Sequence, residues 1–209
     1  MGTKRVLLTG FGPFQDVQAN VSWEAVKSVD AVRINNGDKK SIKSKKDIEL
    51  FKEKIEVRYD VVEEHVPELW TKYQPDLTIH VGVHGESFLS LESQASRTGY
   101  TYEDNTKSCP VDNKHSRDGP DFICTELCLH KVKEEFNTIS PVEGLKAEVS
   151  NCAGKFICEY TYYTSLVHDT QCRQRTLFIH VPVDGCPEQI ALCLERIVKI
   201  CLEQLSCSS

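Results

Sequence analysis

Residues 77–83 read Leu-Thr-Ile-His-Val-Gly-Val, and the fold class follows from them. The run is almost continuously apolar, as in a strand buried on both faces, which places it inside a sheet covered by helices on each side. His80 within such a strand reads as a core histidine with its hydrogen bonds met, in preference to a ligand. Just upstream, Val62, Val66, Leu69, Trp70 and Tyr73 recur at helical spacing. Pro67 is expected to kink that helix or start a new turn, and Gln74-Pro75-Asp76 to end it. Ile48 to Val57 predicts a strand whose lysines and glutamates suit an outer position. Arg5 to Thr9 predicts a buried first strand that stops at Gly10. Asn20 and Ser22 are N-cap residues for a helix carrying Trp23, Val26 and Val29. Between Asn35 and Asp47 the chain is polar and lysine-rich, as in a charged surface loop.

Downstream, regular patterning fails from His84 to Pro120 apart from a strand at Phe88 to Leu91. An irregular region this long inside a compact domain is usually functional. A helix with Ile123, Leu127, Val132 and Phe136 follows, then a strand near Ala147 to Val149. Ser150 to Ser165, SNCAGKFICEYTYYTS, predicts a helix with Phe156, Ile157, Tyr160, Tyr163 and Leu166 on one buried face. Thr176 to Pro182 predicts another buried strand. Pro187 opens a last helix whose stripe is Ile190, Cys193, Ile197, Cys201 and Leu205. Strands alternate with helices throughout, so the expected class is α/β, with a mostly parallel or mixed sheet between helices. No repeat or linker divides residues 1–209, which predicts one domain.

Hydrophobic residues make up 40% and charged residues 27% of the chain, the profile of a globular protein. A net charge of −6 argues against a nucleic-acid partner. No apolar run approaches the roughly 20 residues of a membrane span, and the N-terminus lacks the pattern of a signal peptide. All ten cysteines lie at or after Cys109. Without a secretory signal, free thiols in the cytoplasm are expected, and no spacing suits a metal. Neither metal nor cofactor is expected, and a monomer is the expected state.

Cys158 falls in the first turns of its helix, where unpaired N–H groups and the helix dipole favour a thiolate; a free cysteine, with a pKa of about 8.5, needs such help. The competing reading is a buried structural cysteine. In α/β sheets ligands collect beyond the carboxyl ends of strands. Cys158, His180, Glu92 and the turn Gly10-Phe11-Gly12-Pro13-Phe14 all fall at or just after such ends. A cysteine, a histidine and a carboxylate supply a nucleophile, a base and an orienting group. The turn lacks the third glycine of a dinucleotide site and the lysine of a phosphate loop. It reads instead as a tight turn that points two phenyl rings at one place.

Taken in order, TGFGPF, Asn20-Val21-Ser22-Trp23, HVGV, Glu92, SNCAGKFIC and FIHVP resemble the pyroglutamyl-peptidase I family, and most closely its animal branch. The resemblance covers nearly the whole chain. It implies cysteine peptidases that remove N-terminal pyroglutamate from peptides, an α/β/α sandwich similar to the purine nucleoside phosphorylases, and a cytosolic location without metal or cofactor. It also implies a triad on Cys158, His180 and Glu92, with Phe11 and Phe14 holding the pyroglutamyl ring. Val83 stands on the substrate pocket where bacterial members carry Gln. Thr101 stands where they place a basic residue, Glu56 lies in a segment that is apolar-Pro-Val in the family, and the lysine-rich loop looks like an insertion. Two rival readings are a catalytically idle relative that binds pyroglutamyl peptides or a protein partner, and a phosphorylase-like enzyme, which needs an arginine-lined phosphate site.

Overall fold

A computed structural model describes residues 2–15, 17–36, 48–168 and 175–207. The buried runs form the predicted strands: β1 (Lys4–Phe11), β2 (Ile48–Ile55), β3 (Leu77–His84), β4 (Leu89–Glu92), β7 (Ala147–Ser150) and β8 (Thr176–Pro182). They make one six-stranded sheet in the order β2-β1-β3-β8-β4-β7. The nearly all-apolar β3 lies inside it, between β1 and β8, and the charged β2 lies at an edge, as its composition predicts. β2, β1, β3 and β8 are parallel, whereas β4 pairs antiparallel with β8 and parallel with β7.

Side chains alternate across the sheet with the two-residue strand period. One face buries Val6, Leu8, Ile79, Val81, Leu177, Ile179 and Val181 against α1 (Val21–Ser28), α4 (Leu129–Thr138) and α6 (Pro187–Cys207). The other packs Phe11 and Phe178 against α3 (Tyr59–Tyr73) and α5 (Ile157–His168). The result is an α/β/α sandwich. The predicted stripe of α6 is buried at Ile190, Cys193, Ile197 and Cys201. Asn20 caps α1, accepting from the Ser22 backbone N–H. Gly10 is needed for close approach, because a Cβ there would stand 2.6 Å from the Trp23 Cα.

Several expectations change. α3 runs unbroken through Pro67, since Val62 and Val66 before it and Leu69 and Trp70 after it are all anchored in the core. Ile123 lies not on a helix but on a three-residue strand, β6 (Phe122–Cys124), which pairs antiparallel with β5 (Gln94–Ser96); α4 begins only at Leu129. A short α2 (Ala31–Asn36) precedes the lysine-rich segment, and residues 37–47 of that segment lie outside the described residues. α5 is buried on every side from Tyr160 to Leu166, where a single apolar face is predicted. Its polar side chains allow this by bonding inward: Thr161 Oγ1 donates to the Ile157 carbonyl and Thr164 Oγ1 to that of Tyr160, each at 2.8 Å.

Candidate active site

Cys158 is the second residue of α5, which sets its thiol over β3. A Cβ on Gly82 would lie 2.8 Å from the Cys158 Sγ and 3.0 Å from the Phe178 ring. The glycine of HVGV therefore makes the space that the thiol fills. In the ladder Gly82 pairs with His180, and His180 pairs with Ser90 on the other side. Glu92 lies two residues further along β4, on the same face as His180, and meets it diagonally. His180 Nδ1–H donates to Glu92 Oε1 at 2.8 Å. The other ring nitrogen is left for Cys158, whose sulfur is near enough to help raise the pKa of His180.

This contact does not arise at a shared carboxyl edge. β4 runs against β8, so Glu92 at the end of its own strand stands level with Phe178. The site thus lies over the face of the sheet at β3, β8 and β4. Burial by itself would lower the pKa of His180, but its hydrogen bonds and charge interactions with Cys158 and Glu92 outweigh it and push the value up to about 10. Glu92 is 1% exposed, and the Tyr162 hydroxyl donates to its carbonyl at 2.9 Å. Among the described residues its Oε2 has no hydrogen-bond partner, so the contact with His180 is what offsets its charge.

Cys158, His180 and Glu92 line one cavity of about 960 Å³, with Val83 and Phe156 on its wall. Phe11 and Phe14 are not on that wall, and the turn sends the two rings apart. Phe11 is 2% exposed and packs on Phe178, centroids 6.4 Å apart. Phe178 in turn lies 4.8 Å from the His180 ring. Phe14 packs on Phe156 at 5.2 Å. The turn is held by the Asn20 side-chain amide on the Gly12 carbonyl, 3.2 Å, and that of Asn105 on the Pro13 carbonyl, 3.0 Å. Thr101 and Glu56 are both exposed. No arginine or lysine among the described residues lines the cavity, which leaves the phosphorylase-like reading without support. No group of His, Cys, Asp and Glu among the described residues is arranged to hold a metal.

Two buried carboxylates near the site were not foreseen from the sequence. Asp104 accepts the Tyr59 and Thr106 backbone N–H groups at 3.0 and 2.8 Å. Burial would raise its pKa, but these bonds and that from the Thr106 hydroxyl hold it below the ordinary range. Glu159 accepts from the Ser96 backbone N–H at 2.8 Å and from its hydroxyl at 2.5 Å, while Lys155 donates to the same hydroxyl. That knot ties the turn entering α5 to β5. The four-residue spacing of Lys155 and Glu159 is legible as a helix pair; their shared partner Ser96, 63 positions from Glu159, is not.

The model of the pyroglutamyl peptidase family matches residues 4–206. Mouse pyroglutamyl-peptidase 1 is 34% identical over 200 residues, which cover 94% of this chain and 88% of the mouse protein. The human protein of that name is 33% identical, covering 97% and 91%. The crystal structure of pyroglutamyl peptidase I from Bacillus amyloliquefaciens superposes with a TM-score of 0.76 at 26% identity, covering 93% and 94% of the two chains. Pyrrolidone carboxyl peptidase from Thermococcus litoralis, at 21% identity, shares the fold with a TM-score of 0.83. Matched over almost its whole length in sequence and in fold, the chain belongs to the pyroglutamyl peptidase family.

Proposed function

We propose that this protein is a cysteine peptidase that removes N-terminal pyroglutamate from blocked peptides. The observation that carries the reading is the contiguous, largely buried series Cys158–His180–Glu92, in which the histidine favours its protonated form. Cys158 sulfur attacks the carbonyl that joins pyroglutamate to the next residue. Backbone N–H groups at the start of α5 stabilise the oxyanion. His180 gives its Nε2 proton to the leaving nitrogen, so the amine departs neutral and a thioester remains. Water, deprotonated by the now neutral His180, cleaves the thioester, releases pyroglutamic acid and restores the Cys158 thiolate beside a protonated His180. Glu92 on Nδ1–H keeps the correct tautomer throughout.

Pyroglutamate carries no charged amine, so its pocket needs apolar faces and no carboxylate. Phe156, backed from outside the cavity by Phe14, supplies such a face, and Val83 lies on the same wall. Phe11 contributes from beneath, through Phe178, to the seating of His180. A binding-only relative has no comparable support, since such a protein has no need of a cysteine paired to a buried, protonated histidine. Eight cysteines among the described residues are free, as in a protein of the reducing cytoplasm. No helix among the described residues is long and apolar enough to cross a membrane. The chain acts as one domain, without cofactor.

Matched pyroglutamyl and glutaminyl amides test this reading. A glutaminyl ammonium entering the apolar end with no counter-charge loses several kcal/mol, so the pyroglutamyl amide is favoured by at least about a thousandfold in kcat/KM. Equal rates on the two amides overturn it.

A further inference from the structure

The cavity is larger than a lactam ring requires. At about 960 Å³ it matches sites that enclose a whole drug-sized molecule. From Cys158 and His180 its wall continues past His84 and Phe88 to Asn151 and Glu148, while Phe14 stays outside it. His180 must reach the leaving nitrogen with its proton, so the leaving chain lies on the His180 side. We infer that the cavity receives the residues that follow pyroglutamate and that Glu86, with His84, makes it select a positively charged side chain at the second position. The inference rests on the reaction proposed above and adds its substrate class.

The His84 ring stacks on His180 with centroids 5.6 Å apart, within one side chain's reach of the nitrogen that His180 serves. His84 Nε2 lies 2.8 Å from the Phe88 carbonyl. A carbonyl only accepts, so Nε2 carries the hydrogen and Nδ1 is left as an acceptor. Burial first, and the neighbouring His180 after it, keep the pKa of His84 below the ordinary histidine value despite the carboxylates of Glu92 and Glu86. A neutral His84 leaves the charge of Glu86 uncompensated. Glu86 lines the cavity, is exposed, and makes no ion pair among the described residues. Glu148, at another part of the wall, is held by Lys133 at 2.5 Å. Among the described residues the second residue therefore meets the free carboxylate of Glu86 and the imidazole lone pair of His84, with His130 also on the wall and no lysine or arginine there. Both features suit a lysine or arginine side chain and repel an acidic one.

The test compares pyroglutamyl-lysyl, -alanyl and -glutamyl amides on the wild type, Glu86→Gln and Glu86→Lys, at low salt and at about 0.5 M salt. For one exposed charge, kcat/KM is expected to fall about threefold from lysyl to alanyl and again to glutamyl in the wild type. The lysyl-to-glutamyl ratio flattens in Glu86→Gln, inverts in Glu86→Lys, and shrinks toward one at high salt in each. Because the ratio is taken within one protein, a general loss of activity in a variant cancels. The same ratio in all three proteins, or one indifferent to salt, overturns the inference and leaves the reaction standing. Failure of the wild type to cleave even the pyroglutamyl-alanyl amide overturns the reaction itself and this inference with it.

Discussion

On the sheet face covered by α1, α4 and α6, strands β1, β3 and β8 present Val6, Leu8, Ile79, Val81, Leu177, Ile179 and Val181, all buried and all aliphatic. On the face covered by α3 and α5 the same strands present Thr9, Phe11, Thr78, His80, Gly82, Phe178 and His180. Both faces are buried, but of these residues only those on the second face carry polar side chains. Trp70 Nε1–H donates to Ser165 Oγ at 2.6 Å, and Ser165 Oγ lies 2.8 Å from His80 Nε2. An indole N–H only donates, so the Ser165 hydrogen is free to go to Nε2. His80 Nδ1–H then donates to Thr9 Oγ1, 2.7 Å away. Burial holds the pKa of His80 down to about 3, and its ring stays neutral. His180, two residues along the neighbouring strand from Phe178 on that same face, is shifted the other way by a thiol and a carboxylate. One face supplies dry packing, while the other spends its polar residues on orienting a site.

The sharpest contrast between the faces sets Gly82→Ala against Leu8→Ala. The added methyl on Gly82 collides with the Cys158 sulfur, and a displacement of about 1 Å at a nucleophile costs on the order of a hundredfold in kcat. Leu8→Ala empties a fully buried site and is expected to cost about 2–5 kcal/mol of stability, with kcat per folded molecule retained. Denaturant melts paired with steady-state kinetics read both. A Gly82 variant of normal rate, or a Leu8 variant slowed in kcat but undiminished in stability, breaks the division between the faces.

Glu92→Gln comes next. The pKa of His180 is raised above the ordinary histidine value of about 6.5, so its contribution to stability is fully present below that pH. That contribution is lost as pH rises toward about 10. Loss of activity at high pH follows the same proton. Removing the carboxylate takes away one of the causes of the raised value, so the alkaline limb of kcat moves to lower pH. An unmoved limb shows that Glu92 does not hold the proton on His180. The smallest effect is expected for Thr9→Val, which strands one buried imidazole N–H at a cost of about 1–3 kcal/mol. It should lower the melting temperature without shifting the pH profile.

Much of this division was legible in the chain. The continuous apolar run of β3, the alternating strands and helices, and the residues Cys158, His180 and Glu92 all came from pattern, spacing and motif. The direction of β4 did not, because the run Leu89–Glu92 reads alike in either orientation and only its neighbour β8 fixes it. The β5–β6 pair was missed because each strand is three residues long and the Gln94–Cys124 partners are 30 positions apart. The closed environment of α5 was hidden by Thr161, Thr164 and Ser165, which look solvent-facing until the threonine hydroxyls are seen bonded to the helix itself and that of Ser165 to Trp70 and His80. The turn at Gly10 to Phe14 suggested two converging rings; strand β1 instead continues through Phe11 and carries that ring into the core.

The proposed reaction turns on Cys158 as the nucleophile, and release of pyroglutamate from a chromogenic pyroglutamyl amide by wild type and Cys158→Ala tests it most directly. Circular dichroism and melting establish that the variant folds. The predicted result is ready release by the wild type and no more than a trace by a folded Cys158→Ala. A folded variant that keeps a substantial fraction of wild-type turnover contradicts the assignment.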